Sequence, residues 1–272
     1  MPFFSIITPV FNGESFVHEY VSRLKSQNYS DWESVVVDDN STDATVQILH
    51  ELTSHDDRFR IFNHETHLKL IDGPYQARNV GIKQSLGSYI CFLDIDDFWP
   101  EHKLQIYRQV ILDNSNVKVV FSNYIKFSVN SKGGMNSSFK PVVIPHLLPF
   151  PVITLFANPI PMLTACVSKI ALDTIDFKPI RHEDYLFWQQ LFSTYTSMDF
   201  VHINEFLGYY RVHSNSLTGK RFQSLIWNLD VYEYNGHSKC ISVILLFLKL
   251  CWNFALSVNS LRYRFFNKTF VN

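Results

Sequence analysis

Between residues 4 and 121, short β-type runs alternate with stretches of helical spacing, and two of the runs end abruptly in carboxylates. Residues 4–8 (FSIIT) form an apolar run closed by Pro9 and the turn pair Asn12-Gly13. Phe16, Val17, Tyr20, Val21 and Leu24 then recur at helical spacing within residues 15–27. Val35-Val36-Val37 stops at Asp38-Asp39, and residues 40–43 (NSTD) offer caps for a helix through Leu52. Residues 59–62 read as a third strand, and residues 74–84 as a helix with proline at its first turn. Residues 88–93 form a fourth strand that runs into Asp94-Ile95-Asp96-Asp97, followed by a helix over 100–113 and a strand over 117–121. This rhythm predicts an α/β fold, with a mostly parallel sheet covered by helices on both faces.

After about residue 125 the rhythm breaks. Residues 130–138 (NSKGGMNSS) read as a turn-rich loop, and the six prolines of residues 141–161 break that stretch into short pieces. Helical spacing returns over 182–193, a strand over 205–212 and a helix over 220–234. The tail from His237 carries Lys239, Lys249, Arg262, Arg264 and Lys268 and no acid. Within it Ser242, Lys249, Asn253, Ser257, Ser260 and Arg264 fall on one helical stripe. Val243, Leu246, Phe247, Leu250, Phe254 and Leu261 supply an apolar face. That pattern suits a helix lying on a membrane surface better than one spanning it; the alternative is a helix packing its apolar face on the domain.

Composition excludes several classes. With 46% hydrophobic and 18% charged residues the chain is not intrinsically disordered. Lys and Arg number 24 against 25 Asp and Glu, which lacks the basic surplus of a nucleic-acid binder. Cys91, Cys166, Cys240 and Cys251 show no CxxC spacing, so reduced thiols fit better than a disulfide framework or zinc site. The opening residues lack a basic n-region and read as a first strand rather than a signal peptide.

Open parallel sheets bind ligands beyond the carboxyl ends of their strands, where this sequence delivers its acids. Asp94 and Asp96 suit a hard divalent cation, Mn²⁺ or Mg²⁺, that completes its shell with phosphate oxygens and water. Asp97 is placed to cap the next helix. Neither GxGxxG nor GxxxxGK[ST] is present, so a diphosphate here falls to a metal and Arg78 rather than to a glycine-rich loop. His64 and His67 are read as structural, with no third ligand beside them.

Taken in order, SIITPVFNGE, the YSDWE that leads into VVVDDNSTDAT, GPYQARNVGI, GSYICFLDIDDFW and HEDYLFW resemble glycosyltransferase family 2 across residues 3–220. LTACVSKIAL and YYRVHSNSLTGKR narrow the likeness to bacterial transferases that extend lipid-linked O-antigen repeat units in lipopolysaccharide biosynthesis. The resemblance implies a GT-A fold with a Rossmann-like central sheet and a C-terminal helical tail. Residues 1–125 would be the nucleotide-sugar-binding half, 126–224 the acceptor-binding half and 225–272 the tail. It implies an inverting, metal-dependent transferase moving a hexose, glucose ahead of galactose, from a UDP-sugar to GlcNAc or GalNAc on a polyprenyl diphosphate. The enzyme would be cytoplasmic, peripheral on the inner face of the bacterial inner membrane. A transferase for lipooligosaccharide core or capsule, and a non-catalytic nucleotide-sugar-binding scaffold, are the alternatives.

By the same resemblance, Thr8, Pro9 and Phe11 line the nucleobase and ribose pocket, and Asp39 accepts from the uracil N–H. Arg78 lies near the phosphates, Asp94 near the ribose, and Asp96 is the main metal ligand. Asp184 is the general base, and His213 approaches the metal or diphosphate. The chain departs from the family's pattern at Asn40, where glycine is usual, and at Ile95, where a small residue is usual. Asn40 is a residue that tolerates left-handed backbone.

Overall fold

The alternation of side chains along the first strand decides which helix covers which face. The computed structural model describes residues 1–63, 73–129, 135–144, 150–212 and 221–268. Among these an eight-stranded sheet runs in the order β3 (Phe59–Asn63), β2 (Trp32–Asp38), β1 (Phe4–Val10), β4 (Tyr89–Phe92), β7 (Cys166–Ser168), β5 (Val119–Val129), β6 (Met135–Val142). β8 (Phe200–Arg211) lies parallel to β5. The first four strands are mutually parallel, so β1, β2 and β4 end at one edge. β7 is antiparallel to both β4 and β5.

Phe4, Ile6 and Val10 of β1 join Val36, Cys91 and Leu93 in a core under α1 (Glu14–Lys25), α2 (Thr45–Thr53) and α4 (Lys103–Asp113). Ile7, Ile90, Phe92 and Phe121 point to the opposite face, against α3 (Tyr75–Gln84) and α6 (Glu183–Thr194). The period of two along each strand and the helices on both sides follow from this division. α3 packs so closely on β1 that a Cβ on Gly81 would fall 2.4 Å from Ile7 Cγ2. A single turn, α5 (Phe150–Ile153), and a 3₁₀ turn (Met162–Thr164) are the short pieces into which the proline-rich stretch is broken.

Two sequence expectations are corrected here. β1 does not stop at Pro9. The Ile7 carbonyl accepts from Leu93 N–H and the Val10 carbonyl from Asp39 N–H, so alternation turns the Pro9 nitrogen toward β4, just where that strand ends. The donor that proline lacks is therefore barely missed. The loop expected over 130–138 is partly strand: β6 begins at Met135 and pairs antiparallel with β5, which itself extends to Val129. An edge left open by β7, only three residues long, is satisfied this way.

α7 (Arg221–Tyr234) and α8 (Lys239–Lys268) close the chain. α8 packs on the domain through a stripe that mixes polar and apolar side chains. Ser242 is buried, and Lys249 Nζ donates to Asn228 Oδ1 of α7 at 2.7 Å and sits 4.5 Å from the Tyr185 ring centre. Val243, Phe247 and Phe254 face outward, the two phenylalanines at 64% and 71% exposure. The apolar residues are divided: Val243, Phe247, Leu250 and Phe254 lie outward, while Leu245 is buried with Tyr185, Val231 and Tyr232 and Trp252 packs on Phe156 at 5.5 Å between ring centres. Leu246, expected on the outer face, is half-buried beside the cluster of Tyr185, Val231 and Tyr232, while Asn253, expected on the polar stripe, is exposed. Ser257, Ser260, Leu261 and Arg264 have side chains outside the described set. Among the described residues, no helix is long and apolar enough to cross a membrane.

Candidate active site

The strand order 3-2-1-4 places a topological switch between β1 and β4, where open α/β sheets bind their ligands. A cleft of about 480 Å³ opens at that edge. Pro9 reaches it from the end of β1 and Phe11 follows that strand, Asp39 follows β2, Ala77 comes from α3, and Asp94 and Asp96 follow β4. Asp39 is held by its own N–H, which donates to Val10 at 2.8 Å. Asn40 takes the left-handed conformation at φ 64°, as the sequence predicts. Ile95 lines the cleft too, and it packs so near Gly13 that a Cβ there would meet Ile95 Cγ2 at 3.2 Å and Val10 Cγ2 at 2.8 Å.

Thr8 does not join these residues. It is fully buried, and its hydroxyl pairs with Tyr20 Oη at 2.7 Å, which in turn pairs with Ser34 Oγ at 2.7 Å. Strand alternation sends Thr8 into the core. His213, and with it His64 and His67, lie outside the described residues.

Arg78 sits beneath the cleft rather than in its wall. Its guanidinium is buried and forked: one nitrogen donates to Asp94 at 3.0 Å, the other to Glu183 Oε1 at 2.8 Å. Burial opposes its charge, but Asp94, Glu183 and Asp184 outweigh burial and hold its pKa above the usual value. Glu183 shows the other side of the pair. Burial lifts its carboxyl to about 7, against the pull of Arg78 and with the help of Asp184 and Asp94. No motif in the sequence announces this role of Glu183, because its partner lies 105 positions earlier.

Asp97 is not a helix cap. Its Oδ1 accepts the Arg211 backbone N–H at 2.8 Å, while α4 begins only at Lys103. Arg211 Nε donates to the Asp96 carbonyl at 2.7 Å, and its guanidinium reaches Glu19 of α1 at 2.5 Å. Arg211 thus fixes the acidic turn from β8, a role with no motif to announce it. Burial raises the Asp97 carboxyl well above the usual range, with Asp96 and then Asp94 adding to the effect. Repulsion from Asp96 and Asp94 contributes to that rise, and a cation at this turn would relieve it. Among the described residues there is no cluster of three or more metal-ligating side chains. An ion here would take Asp96 and Asp94 from the protein and its other ligands from substrate oxygens and water, which suits Mg²⁺ or Mn²⁺.

Asp184 opens onto a second, smaller cleft of about 210 Å³, lined also by Tyr124, Lys126, Asn158, Pro161 and Tyr210. It is the second residue of α6, which begins at Glu183 immediately after His182, a non-glycine residue held at φ 57°. Strained backbone of this kind concentrates at functional sites. Asp184 Oδ2 accepts from Asn158 Nδ2 at 2.7 Å, which aims the carboxylate, and Oδ1 takes the Tyr185 N–H at 2.8 Å. The chain Asp94–Arg78–Glu183 therefore ties the acidic strand end to the residue preceding Asp184.

Residues 5–168, more than half of the chain, match the profile described as Glycosyl transferase family 2. The chain belongs to glycosyl transferase family 2. One relative of this family-2 chain, from Escherichia coli, is named UDP-Glc:alpha-D-GlcNAc-diphosphoundecaprenol beta-1,3-glucosyltransferase WfgD. The two are 27% identical over 227 residues, covering 84% of each. Among solved structures, S. aureus TarS 1-349 in complex with UDP-GlcNAc superposes with a TM-score of 0.66 at 22% identity, covering 92% of this chain and 72% of that one. Glucosyl-3-phosphoglycerate synthase from Mycobacterium tuberculosis, in complex with Mn²⁺, UDP and glucosyl-3-phosphoglycerate, gives 0.59 at 16% identity, covering 85% and 80%. The architecture is the GT-A fold, and this family-2 member is a glycosyltransferase.

Proposed function

We propose that this family-2 enzyme moves a hexose, glucose ahead of galactose, from a UDP-sugar to GlcNAc or GalNAc on a polyprenyl diphosphate, with inversion, in O-antigen synthesis. The observation that carries the reading is the tether described above: one buried guanidinium holds the acidic strand end of the donor cleft and the start of the helix that presents Asp184. The naming of the Escherichia coli relative supports the choice of donor and acceptor.

In this reading Pro9 and Phe11 pack on the uracil and ribose and Asp39 accepts the uracil N–H. Asp94 orients the ribose, and Asp96 and Asp94 are the residues that would hold a divalent cation. Such an ion, when bound, neutralises the charge that develops on the departing UDP. Arg78 adds fixed positive charge beneath the same site at no cost in reorganisation. Asp184, aimed by Asn158, takes the proton of the acceptor hydroxyl as that oxygen attacks the anomeric carbon from the face opposite UDP. No covalent nucleophile is needed.

The acceptor's lipid confines the reaction to a membrane. α8 answers that constraint, because Val243, Phe247, Leu250 and Phe254 face away from the protein and its tail carries cations without acids. We infer peripheral attachment to the cytoplasmic face of the inner membrane through this helix. The test of the function is a screen of UDP-sugars against GlcNAc- and GalNAc-diphosphate-lipid analogues, with and without chelator. Metal-stimulated transfer from UDP-glucose or UDP-galactose is expected. UDP release from no donor in the presence of either acceptor overturns the reading.

A further inference from the structure

The smaller cleft contains a cation that the reading above leaves without a task. Strand alternation puts Tyr124 and Lys126 on one face of β5, and the parallel register sets Lys126 beside Tyr210 of β8. Their neighbours Phe127 and Arg211 belong to the other face, where the Arg211 guanidinium lies 4.6 Å from the Phe127 ring centre and holds the acidic turn. The two faces of one strand pair thus serve the two clefts.

Lys126 Nζ lies 5.8 Å from the Tyr124 ring centre and 6.0 Å from that of Tyr210, and the rings meet edge to face at 6.4 Å. The side chain is half-buried, and no carboxylate pairs with it among the described residues. Burial alone lowers its pKa. A cation drawn partly out of water with only aromatic partners is poorly compensated, and an oxyanion entering the cleft would complete it. Tyr210 marks the position of this cleft relative to the chemistry. Burial first, then the carboxylates Asp97, Asp94, Asp96 and Asp184, raise its phenol to about 12, so it stands between the acidic turn and the base and keeps its proton. Burial does the same for Tyr124, also to about 12.

Transfer from a UDP-sugar to a sugar diphosphate brings two diphosphates to the enzyme. In the reading above the donor's would be met by Arg78 and by a cation held at Asp96 and Asp94. We propose that Lys126, flanked by Tyr124 and Tyr210, is the subsite for the acceptor's diphosphate, its ammonium pairing with phosphate oxygens while the rings pack on the acceptor sugar. This rests on the reading of the acceptor as a sugar diphosphate. Lys126 then fixes which acceptor hydroxyl reaches Asp184, and it discriminates a phosphorylated acceptor from a neutral glycoside.

The experiment compares wild type, Lys126→Gln, Lys126→Met and Lys126→Arg on GlcNAc-diphosphate-lipid and on an uncharged alkyl GlcNAc glycoside, with UDP titration as the check on folding. For the diphosphate acceptor, Lys126→Gln and Lys126→Met are expected to raise KM tenfold or more, with donor KM unchanged and Lys126→Arg restoring most of the loss. On the glycoside all four proteins are expected to agree within about twofold. For wild type, raised salt is expected to increase KM for the diphosphate acceptor and not for the glycoside, a readout that needs no variant. Equal losses on both acceptors, a raised donor KM, or a wild type indifferent to the acceptor's charge overturns the proposal while leaving the transferase reading intact. A wild type that transfers to neither acceptor overturns the acceptor reading and this subsite with it.

Discussion

Replacing Arg78 with methionine tests the tether between the two clefts. The guanidinium side chain is 5% exposed, Glu183 14% and Asp94 39%. Breaking a fully buried ion pair by removing one partner costs about 3–5 kcal/mol, because the other charge stays buried and unpaired. Two features reduce that figure here. Asp94 is more than a third exposed, so water screens its share. Glu183 has an escape, since its carboxyl already titrates at about 7 and rises further once Arg78 is gone. The expected cost is therefore about 2–3 kcal/mol at pH 8, and less at pH 6, where Glu183 accepts a proton. Glu183→Gln alone leaves Arg78 paired with Asp94 and removes a carboxyl that burial has raised to about 7, so at pH 8 it is expected to cost less than about 1 kcal/mol. The double variant should then be less destabilised than the sum of the two by about 1–2 kcal/mol. Urea denaturation of the four proteins at pH 6 and pH 8 measures all of these terms. Additive single effects, or an Arg78→Met cost that is the same at both pH values, would refute the tether.

Three further outcomes are expected. Asp184→Asn keeps the shape and the contact with Asn158 but cannot take a proton, so steady-state kinetics should show kcat reduced a hundredfold or more with UDP affinity little changed. Lys103 is fully buried among Trp99 and Tyr107 with its ammonium on the Leu163 carbonyl, and burial depresses its pKa to about 7. Between pH 7 and 10.5 the unfolded chain binds more protons at this site, so the wild type should gain on the order of a few kcal/mol as pH rises across that window. Lys103→Met should flatten the slope in urea titrations, and parallel slopes would discard the idea. Finally, Phe247→Ser with Phe254→Ser should abolish sedimentation with anionic vesicles while leaving thermal stability unchanged, since both rings face outward. Undiminished vesicle binding by that variant would remove α8 as the membrane contact.

The parts of the molecule legible in the sequence are those whose partners are near in the chain. The strands and helices up to Asp113 follow from apolar period and turn punctuation, and Pro9, Phe11, Asp39, Asp94 and Asp96 share a cleft because each lies at or just beyond a strand end at one edge. Where a partner is distant, the pattern is silent. Glu183 meets Arg78 across 105 positions and Arg211 meets Asp97 across 114. Thr8 shows the opposite limit: it belongs to a recognisable run, but strand alternation turns its side chain into the core, where Tyr20 satisfies the hydroxyl. β6 was hidden because its glycine- and serine-rich lead-in carries loop chemistry, and only the open edge of β5 makes it a strand. In α8 the period reveals the polar stripe. Which stripe faces the protein depends on Asn228 and Tyr185, residues of other helices.

The account stands most directly on the stereochemistry of transfer. The enzyme is incubated with UDP-α-D-glucose or UDP-α-D-galactose and a GlcNAc- or GalNAc-diphosphate-lipid analogue, and the new glycosidic bond is read from its anomeric proton coupling by NMR. An acceptor hydroxyl that attacks from the face opposite UDP while Asp184 takes its proton predicts a β-linked product. An α-linked product, or UDP release with no sugar on the acceptor, would contradict it.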